Sequence, residues 1–149
     1  MSPTAGSLFE LEILSDKLNT QTEELNSVIA DLDKRLGAMR LGVTVWLVDD
    51  FINRTPVANQ PNNIFVWEIG YAKVKEEWCI AARHSSGFWS EEFQHWDLNP
   101  VTEAVPLLKA PRIVRVEAAA LLDKLINELK DRVTGYVASL ENAKHLVAK

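Results

Sequence analysis

The sequence has one cysteine in 149 residues, which excludes a disulfide within the chain and is typical of a reducing compartment. It has no run of about 18 apolar residues, so we expect no membrane-spanning helix. Basic residues are fewer than acidic ones, 16 against 21, whereas a nucleic-acid-binding surface normally needs a basic patch. The N-terminal residues lack the basic and apolar regions of a signal peptide. We therefore expect a cytoplasmic protein that binds neither a membrane nor nucleic acid.

Catalytic and cofactor motifs are also scarce. There is no glycine-rich phosphate loop and no nucleophile-elbow motif around His84, Ser85 and Ser86. His95 with Glu91 and Glu92 lacks a second ligand cluster, so we predict no metal and no cofactor. We interpret Asp49 and Asp50 as solvated loop acids, and Cys79 as a small buried apolar residue. The sequence therefore favours a protein that is not an enzyme.

Residues 64–83 carry the clearest pattern in the chain. Two runs of β-branched and aromatic residues are joined by the charged link Lys75-Glu76-Glu77, which predicts a β-hairpin. Strand alternation predicts that the face of the first run with Phe65, Trp67, Ile69 and Tyr71 meets helices. In the second run, Trp78, Ile80 and Ala82 share a face. The alternation also predicts that three charged side chains reach water, namely Glu68, Lys73 and Arg83.

Gly70 lies in the middle of this hairpin. A glycine inside a strand usually marks a close approach by a neighbouring group. We expect Trp46 or Trp67 to lie over the missing side chain, and the alternative is a ligand at that point. Residues 43–49 are almost continuously apolar and predict a third strand.

Both ends of the chain carry helical patterns. Seven of nine N-terminal heptad positions are apolar, at Leu11, Leu14, Leu18, Gln21, Leu25, Val28, Leu32, Arg35 and Met39. The C-terminal positions are all apolar, at Leu122, Ile126, Leu129, Val133, Tyr136, Leu140, Ala143 and Val147. The first helix is expected to be unbroken, although residues 19–22 weaken its pattern, and Gly42 is placed to end it. Such heptads predict that the two helices pair in a coiled-coil-like manner.

The sequence thus predicts one α+β domain over residues 1–149, with a three- to four-stranded antiparallel sheet between two long helices. Its segments are flexible residues 1–6, helix 7–41, sheet 43–84, irregular structure or a short helix at 88–110, and helix 111–147. Residues 51–63 are expected to form a loop, and a fourth strand remains an alternative for 88–98.

The last helix, if straight, would be about 55 Å long at 1.5 Å per residue, longer than a globule of about 38 Å. Either it bends at Gly135, or its overhang pairs with another helix, because packing holds most helices together. The pairing could close within one chain or across a two-fold axis. We expect a homodimer.

Candidate binding residues form two groups. Arg112 and Arg115 share a face at the start of the last helix, where the dipole disfavours cations. Either an internal acid such as Glu68 or Asp49 neutralises them, or they receive an external anion. The second group is Trp46, Trp67 and Trp78, which could line a pocket between sheet and helices that the 51–63 loop closes.

A resemblance to a group of known proteins rests on two parts of the sequence. They are the hairpin residues 67–74 and 78–83, and Ala110-Pro111-Arg112 at the start of a leucine-rich helix. The chain resembles small bacterial proteins with a Trp-x-Ile-Gly hairpin and an Ala-Pro-Arg helix start, over about residues 40–130. That group has no assigned function. The resemblance implies the same helix–sheet–helix build and transfers no site residue.

From the residues, we expect a non-enzymatic interaction or regulatory module that acts through protein–protein contacts, for instance as the neutralising half of a toxin–antitoxin pair. The alternative is a small-ligand-binding protein or enzyme with the tryptophan-lined pocket.

Overall fold

The computed structural model describes residues 3–48 and 50–148. The helices are α1 (Pro3–Met39), α2 (Arg112–Ala118) and α3 (Leu122–Ala148). The strands are β1 (Val45–Trp46), β2 (Ile52–Val57), β3 (Gln60–Val74), β4 (Glu77–Ser90), β5 (His95–Pro100) and β6 (Val105–Pro106). Short 3-10 helices cover Leu107–Lys109 and Ala119–Leu121. The α+β prediction is confirmed.

The centre of the antiparallel sheet is the hairpin of β3 and β4, paired from Asn63 with Phe88 to Val74 with Glu77. Lys75 and Glu76 form its two-residue turn, and both have positive φ angles, 48° and 70°. Two such residues match the twist of the flanking strands. The predicted hairpin is confirmed, and its strands extend further than residues 64–83.

Four short strands complete the sheet. β1 and β2 pair with the outer edge of β3, and β5 and β6 with that of β4. The predicted loop at residues 51–63 is wrong, because this segment forms β2, a turn and the start of β3. Residues 88–110 contain the end of β4, a turn at 91–94, β5, β6 and the 3-10 helix Leu107–Lys109, so the segment includes strand, the alternative given for 88–98, as well as a short helix. The physical reason is that β3 and β4 are 15 and 14 residues long, and their backbone groups need partners along that whole length.

Helix α1 is unbroken, as expected, but it begins at Pro3, so residues 3–6 are helical rather than flexible. At the predicted weak point, the Thr22 hydroxyl donates to the Leu18 carbonyl over 2.7 Å, which satisfies a buried polar group inside the helix. The helix ends at Met39. Arg40 and Gly42 then take left-handed conformations, with φ of 53° and 61°, and turn the chain towards β1.

The C-terminal segment is two helices rather than one helix over 111–147. The break between them is the 3-10 helix Ala119–Leu121 and not Gly135, which lies inside the continuous α3 with open space around it. Helix α2 packs against β2 and α1, whereas α3 packs against β1 and β3. The two helices therefore pack on different strands of the curled sheet.

All three helices cover one face of the hairpin. The face predicted to meet helices is confirmed for three of its four residues, Trp67, Ile69 and Tyr71, which belong to or pack against the main core. The shared face of the second run, with Trp78, Ile80 and Ala82, contributes to the same core. Helical partners in this core include Ile29, Leu36, Val114, Leu125 and Leu129. Phe65 lies beyond this core, towards the end of the hairpin that the helices do not cover.

The other face of the hairpin is also largely buried, because the sheet curls around it. Its core consists of small or β-branched side chains with Trp46 packed against them, at Ala72, Val74, Cys79 and Ala81. The Trp46 ring lies directly over Gly70: a Cβ at residue 70 would be 2.6 Å from Cε3 of that ring. The expectation that a tryptophan occupies the space of the missing side chain is confirmed.

Candidate functional site

The first half of α1 leaves the body of the protein. From Thr22 onwards the helix places Ile29 and Leu36 in the core, whereas nearly every residue from 4 to 21 is exposed. We call residues 4–21 the α1 extension. Eighteen residues make five full turns of an α-helix, so Leu11 and Leu18 point to the same side as Ile29 and Leu36. The core-facing stripe therefore continues along the extension with no core to cover it.

The α1 extension is unusually apolar for an exposed helix. Six large side chains are 44–63% exposed: Leu8, Phe9, Leu11, Ile13, Leu14 and Leu18. Isolated helices are marginal in water, and packing of an apolar face supplies most helical stability. A contiguous apolar surface of this kind marks an interaction site. The α1 extension is therefore the strongest candidate functional surface among the described residues.

The end of α3 is a second exposed segment. Its packed part carries Leu122, Leu125 and Leu129, and residues 134–146, the α3 extension, are exposed. Large apolar side chains in the α3 extension are Tyr136, Val137, Leu140 and Leu146. They are more widely spaced than those of the α1 extension.

The two extensions leave the core at opposite ends. Early in the packed part of α1, Asn26 accepts a hydrogen bond from Arg115 of α2 over 2.6 Å. At its end, Leu36 and Met39 line an apolar cleft with Ile126 and Val133 of α3. The packed part of α1 and the segment from α2 into α3 thus lie side by side and run in the same direction. In the part of the chain that the structure describes, the extensions do not meet, and coiled-coil pairing between α1 and α3 is not shown.

The structure separates the three candidate tryptophans. Trp46 lies on the curled inner face, over Gly70. Trp67 and Trp78 lie on the helix-covered face, but Trp67 stacks on His84 and Trp78 stacks on Tyr71, with ring centroids 5.2 Å and 5.7 Å apart. The cross-strand partner of Trp78 is Lys73, which lies six residues further along β3 than Trp67. Trp67 and Trp78 are therefore separated by about 20 Å along the strand direction. The described residues thus form no common pocket lined by all three.

Arg115 makes structural contacts at the start of α2. Its Nε donates to the Ala110 carbonyl over 3.1 Å, and its Nη1 donates to Asn26. Arg112 is exposed. Glu68, one acid considered as their counter-charge, pairs with Arg83 instead, and Asp49 lies outside the described residues. Anion binding by Arg112 and Arg115 stays a prediction.

A buried polar cluster lies on the inner face of the sheet. Glu68 is 4% exposed, and its Oε1 accepts hydrogen bonds from Arg83 Nε over 3.0 Å and from the Ser85 hydroxyl over 2.5 Å. The Arg83 guanidinium also lies 4.0 Å from the centre of the Trp46 ring. The prediction that Glu68 reaches water is wrong, and Arg83 is only partly exposed, whereas Lys73 is exposed as predicted. The missed signal was the row of small residues on the same face, which lets the sheet curl over it.

Other titratable groups have structural surroundings. Burial, with the negative charges of Asp33 and Glu77, raises the pKa of the Cys79 thiol to about 11, so this buried cysteine is unreactive at neutral pH. Asp50 forms an ion pair with Lys124. Within the described residues, no group of three or more histidine, cysteine or acidic side chains could hold a metal ion. Nor is any described helix both long and apolar enough to cross a membrane.

A cleft of about 480 Å³ opens at the end of the sheet that the helices leave uncovered. Its floor contains two cross-strand rows, Asn63–Phe88–Asp97 and Phe65–Ser86–Asn99. The cleft therefore combines two aromatic rings with amide, hydroxyl and carboxylate groups, a composition that small polar ligands favour.

Comparisons of the chain with protein-family models, with curated proteins and with solved structures find no match.

Proposed function

We propose that this protein is a non-enzymatic interaction or regulatory module, and that its docking surface is the α1 extension. The observation that carries the proposal is the row of exposed apolar side chains on a helix that has left its own core. Eighteen residues of helix are about 27 Å long. A helix of that length with half-exposed leucines gains stability when a partner covers it, because apolar area removed from water contributes about 25 cal/mol per Å².

The partner is a protein surface of matching shape, and a second copy of the chain is our first choice. The neutralising half of a toxin–antitoxin pair is one cellular role of this kind. Within the same proposal, the protein acts in the cytoplasm and is related to the bacterial proteins that share its hairpin and its Ala110-Pro111-Arg112 helix start.

Native mass spectrometry on the gently purified protein tests the proposal. We expect a species heavier than one chain of 16.8 kDa, either a dimer or a complex with another protein. The change Leu14→Ser should shift the population to single chains. Ile13→Ser is the matched control, because Ile13 is similarly exposed but lies about 100° around the helix from Leu14, outside the face formed by Leu11, Leu14 and Leu18. Single chains at every concentration, with a stable α1 extension, would contradict the proposal.

A second candidate function is small-ligand binding in the cleft beside Phe65 and Phe88. The observation in its favour is the polar and aromatic lining described above. A bound small mass in the same spectra, lost on Phe88→Ala and retained on Phe93→Ala, would support it. Phe93 is also exposed but does not line the cleft.

A further inference from the structure

The heptad positions of the α1 extension define the face that a partner helix would cover. With Leu11 and Leu18 at positions a, the positions d are Leu14 and Gln21. The flanking g positions are then Glu10 and Lys17, one acidic and one basic. In antiparallel coiled coils the g positions of the two helices lie next to each other, so their charges determine which registers are favourable.

We propose that the partner of the α1 extension is a second copy of this chain, and that the two extensions lie antiparallel about a two-fold axis between Glu12 and Ile13. This inference rests on the proposed function and names its partner. Leu11 packs against the partner's Leu14, and Glu10 lies beside the partner's Lys17. The two-fold axis makes each of these contacts occur twice.

The charges select this register. A shift of one heptad in one direction places Glu10 opposite the partner's Glu24 and Lys17 opposite the partner's Lys17. A shift in the other direction places Glu10 opposite the partner's Glu10. Both shifts bring like charges together, which is destabilising. Among these three alternatives, the register centred between residues 12 and 13 pairs opposite charges.

The space along the helix fits the same register. The overlap covers residues 4–21 of each chain and ends where Thr22 enters the core, so the body of each protein lies just beyond the end of the partner helix. Leu11, Leu14 and Leu18 on this face, with Leu8 beside it, expose about 400 Å² per chain, at about 100 Å² each. With the flanking side chains, the interface reaches about 1,000 Å² in total, the size that a specific interface needs.

Pairing of the α1 extension with the partner's α3 extension is less favourable. Because the extensions leave the body at opposite ends, such a contact between molecules placed end to end leaves one extension of each kind unpaired and grows an open chain of molecules. The charges also give it no preference: the α1 extension has three acidic residues and one basic residue, whereas Glu141 and Lys144 balance each other in the α3 extension. Antiparallel pairing of two α1 extensions closes at a dimer.

The test uses complementary charge reversals in the full-length chain. Glu10→Lys and Lys17→Glu should each weaken the homodimer about tenfold, because each change makes two attractive pairs repulsive. Their mixture should recover wild-type affinity as a heterodimer, since every g pair then joins opposite charges. Isotope labelling of one chain lets native mass spectrometry count the three dimers, and we expect the ratio of the heterodimer to each homodimer to be about ten times the statistical ratio of two. High salt should reduce this preference.

Glu12→Lys is the matched control. It makes the same charge change on an exposed outer position of the same helix, so its mixture with Lys17→Glu should give a statistical distribution. A statistical distribution for the Glu10→Lys and Lys17→Glu mixture would overturn the antiparallel register while leaving association through α1 intact. A wild-type protein that stays a single chain at about 100 µM, a concentration at which even weak dimers form, would overturn self-pairing altogether.

Discussion

Replacing Gly70 with alanine should destabilise the protein by about 3 kcal/mol, although only one methyl group is added. The new Cβ would lie 2.6 Å and 2.7 Å from two atoms of the Trp46 ring and even closer to the Val45 carbonyl oxygen. The carbonyl cannot retreat, because Trp46 pairs with Gly70 in the β1–β3 ladder. The ring must therefore leave the inner face. It then loses its packing and its contact with the Arg83 guanidinium, worth about 0.5–2 kcal/mol.

Urea denaturation followed by circular dichroism measures this change, and the expected loss corresponds to a fall in Tm of about 10 °C. The matched control is Gly135→Ala in α3, where nothing lies within 4 Å of the added Cβ. That change should stabilise the protein by up to about 1 kcal/mol through helix propensity. In a double-mutant cycle, Trp46→Ala should recover only the part of the Gly70→Ala loss that comes from the ring, because the Val45 carbonyl oxygen remains the nearest atom to the new Cβ. A loss below about 0.5 kcal/mol for Gly70→Ala, the size of an ordinary surface change, would refute the reasoning.

Three further predictions concern buried polar groups. Glu68→Ala should cost about 3 kcal/mol in urea denaturation because it leaves the Arg83 guanidinium without its carboxylate, and Glu68→Gln should cost less; equal stability of all three proteins would contradict the ion pair. Burial raises the pKa of Asp33 above 3.8, so the folded state binds this proton more tightly than the unfolded state and loses that contribution as pH rises through the raised pKa. Asp33→Asn should therefore stabilise the protein at pH 7, since the neutral amide oxygen can still accept a hydrogen bond from the Ile80 N–H. At pH 3 the substitution should change the free energy of unfolding less. An equal effect of the substitution at the two pH values would count against this reasoning. A thiol reagent at pH 8 should label Cys79 at the rate of unfolding in dilute urea, because the thiol is buried and its pKa is about 11; rapid labelling of the folded protein would show the prediction to be wrong.

The hairpin could be predicted from the sequence because its signals are local. Alternation of bulky residues between Phe65 and Tyr71 reports which face meets the helices, and a glycine in the middle of a strand reports a close approach. The alternation and the glycine are both recognised from neighbouring residues in the sequence, and both are informative because the strand is buried. The helix-facing side of β3 and a tryptophan over Gly70 followed from them, and the structure decides between Trp46 and Trp67 in favour of Trp46.

The outer strands could not be predicted in the same way. β2 contains Asn53, Arg54 and Pro56, and its polar residues resemble those of a loop. It is a strand because β3 continues beyond the part that the helices cover and offers unpaired backbone groups. Its exposed side chains have no need to be apolar. Asn53 has a positive φ of 52° at a shift in register, which shows how an irregular sequence is accommodated.

Glu68 was misplaced for a related reason. Alternation assigns a residue to a face, but it does not say whether that face is covered. Here the second face is closed by curvature of the sheet, and curvature depends on small residues from both strands, Gly70, Ala72, Ala81 and Ser85. The α1 extension shows the opposite case, an apolar face that is not covered. The heptad pattern predicted where α1 is apolar, but only the structure shows which of its leucines lie outside the core of the protein.

The division of each outer edge of the sheet into two short strands affects how the protein resists aggregation. A long, flat edge strand is a template on which another chain can add by β-pairing. Here each edge is interrupted between its two strands, and Pro56, Pro100 and Pro106 each lack the backbone N–H that such pairing would use. The edges of the sheet therefore offer little template for amyloid-like growth, even at the high protein concentrations at which the proposed assembly through the helices is to be tested.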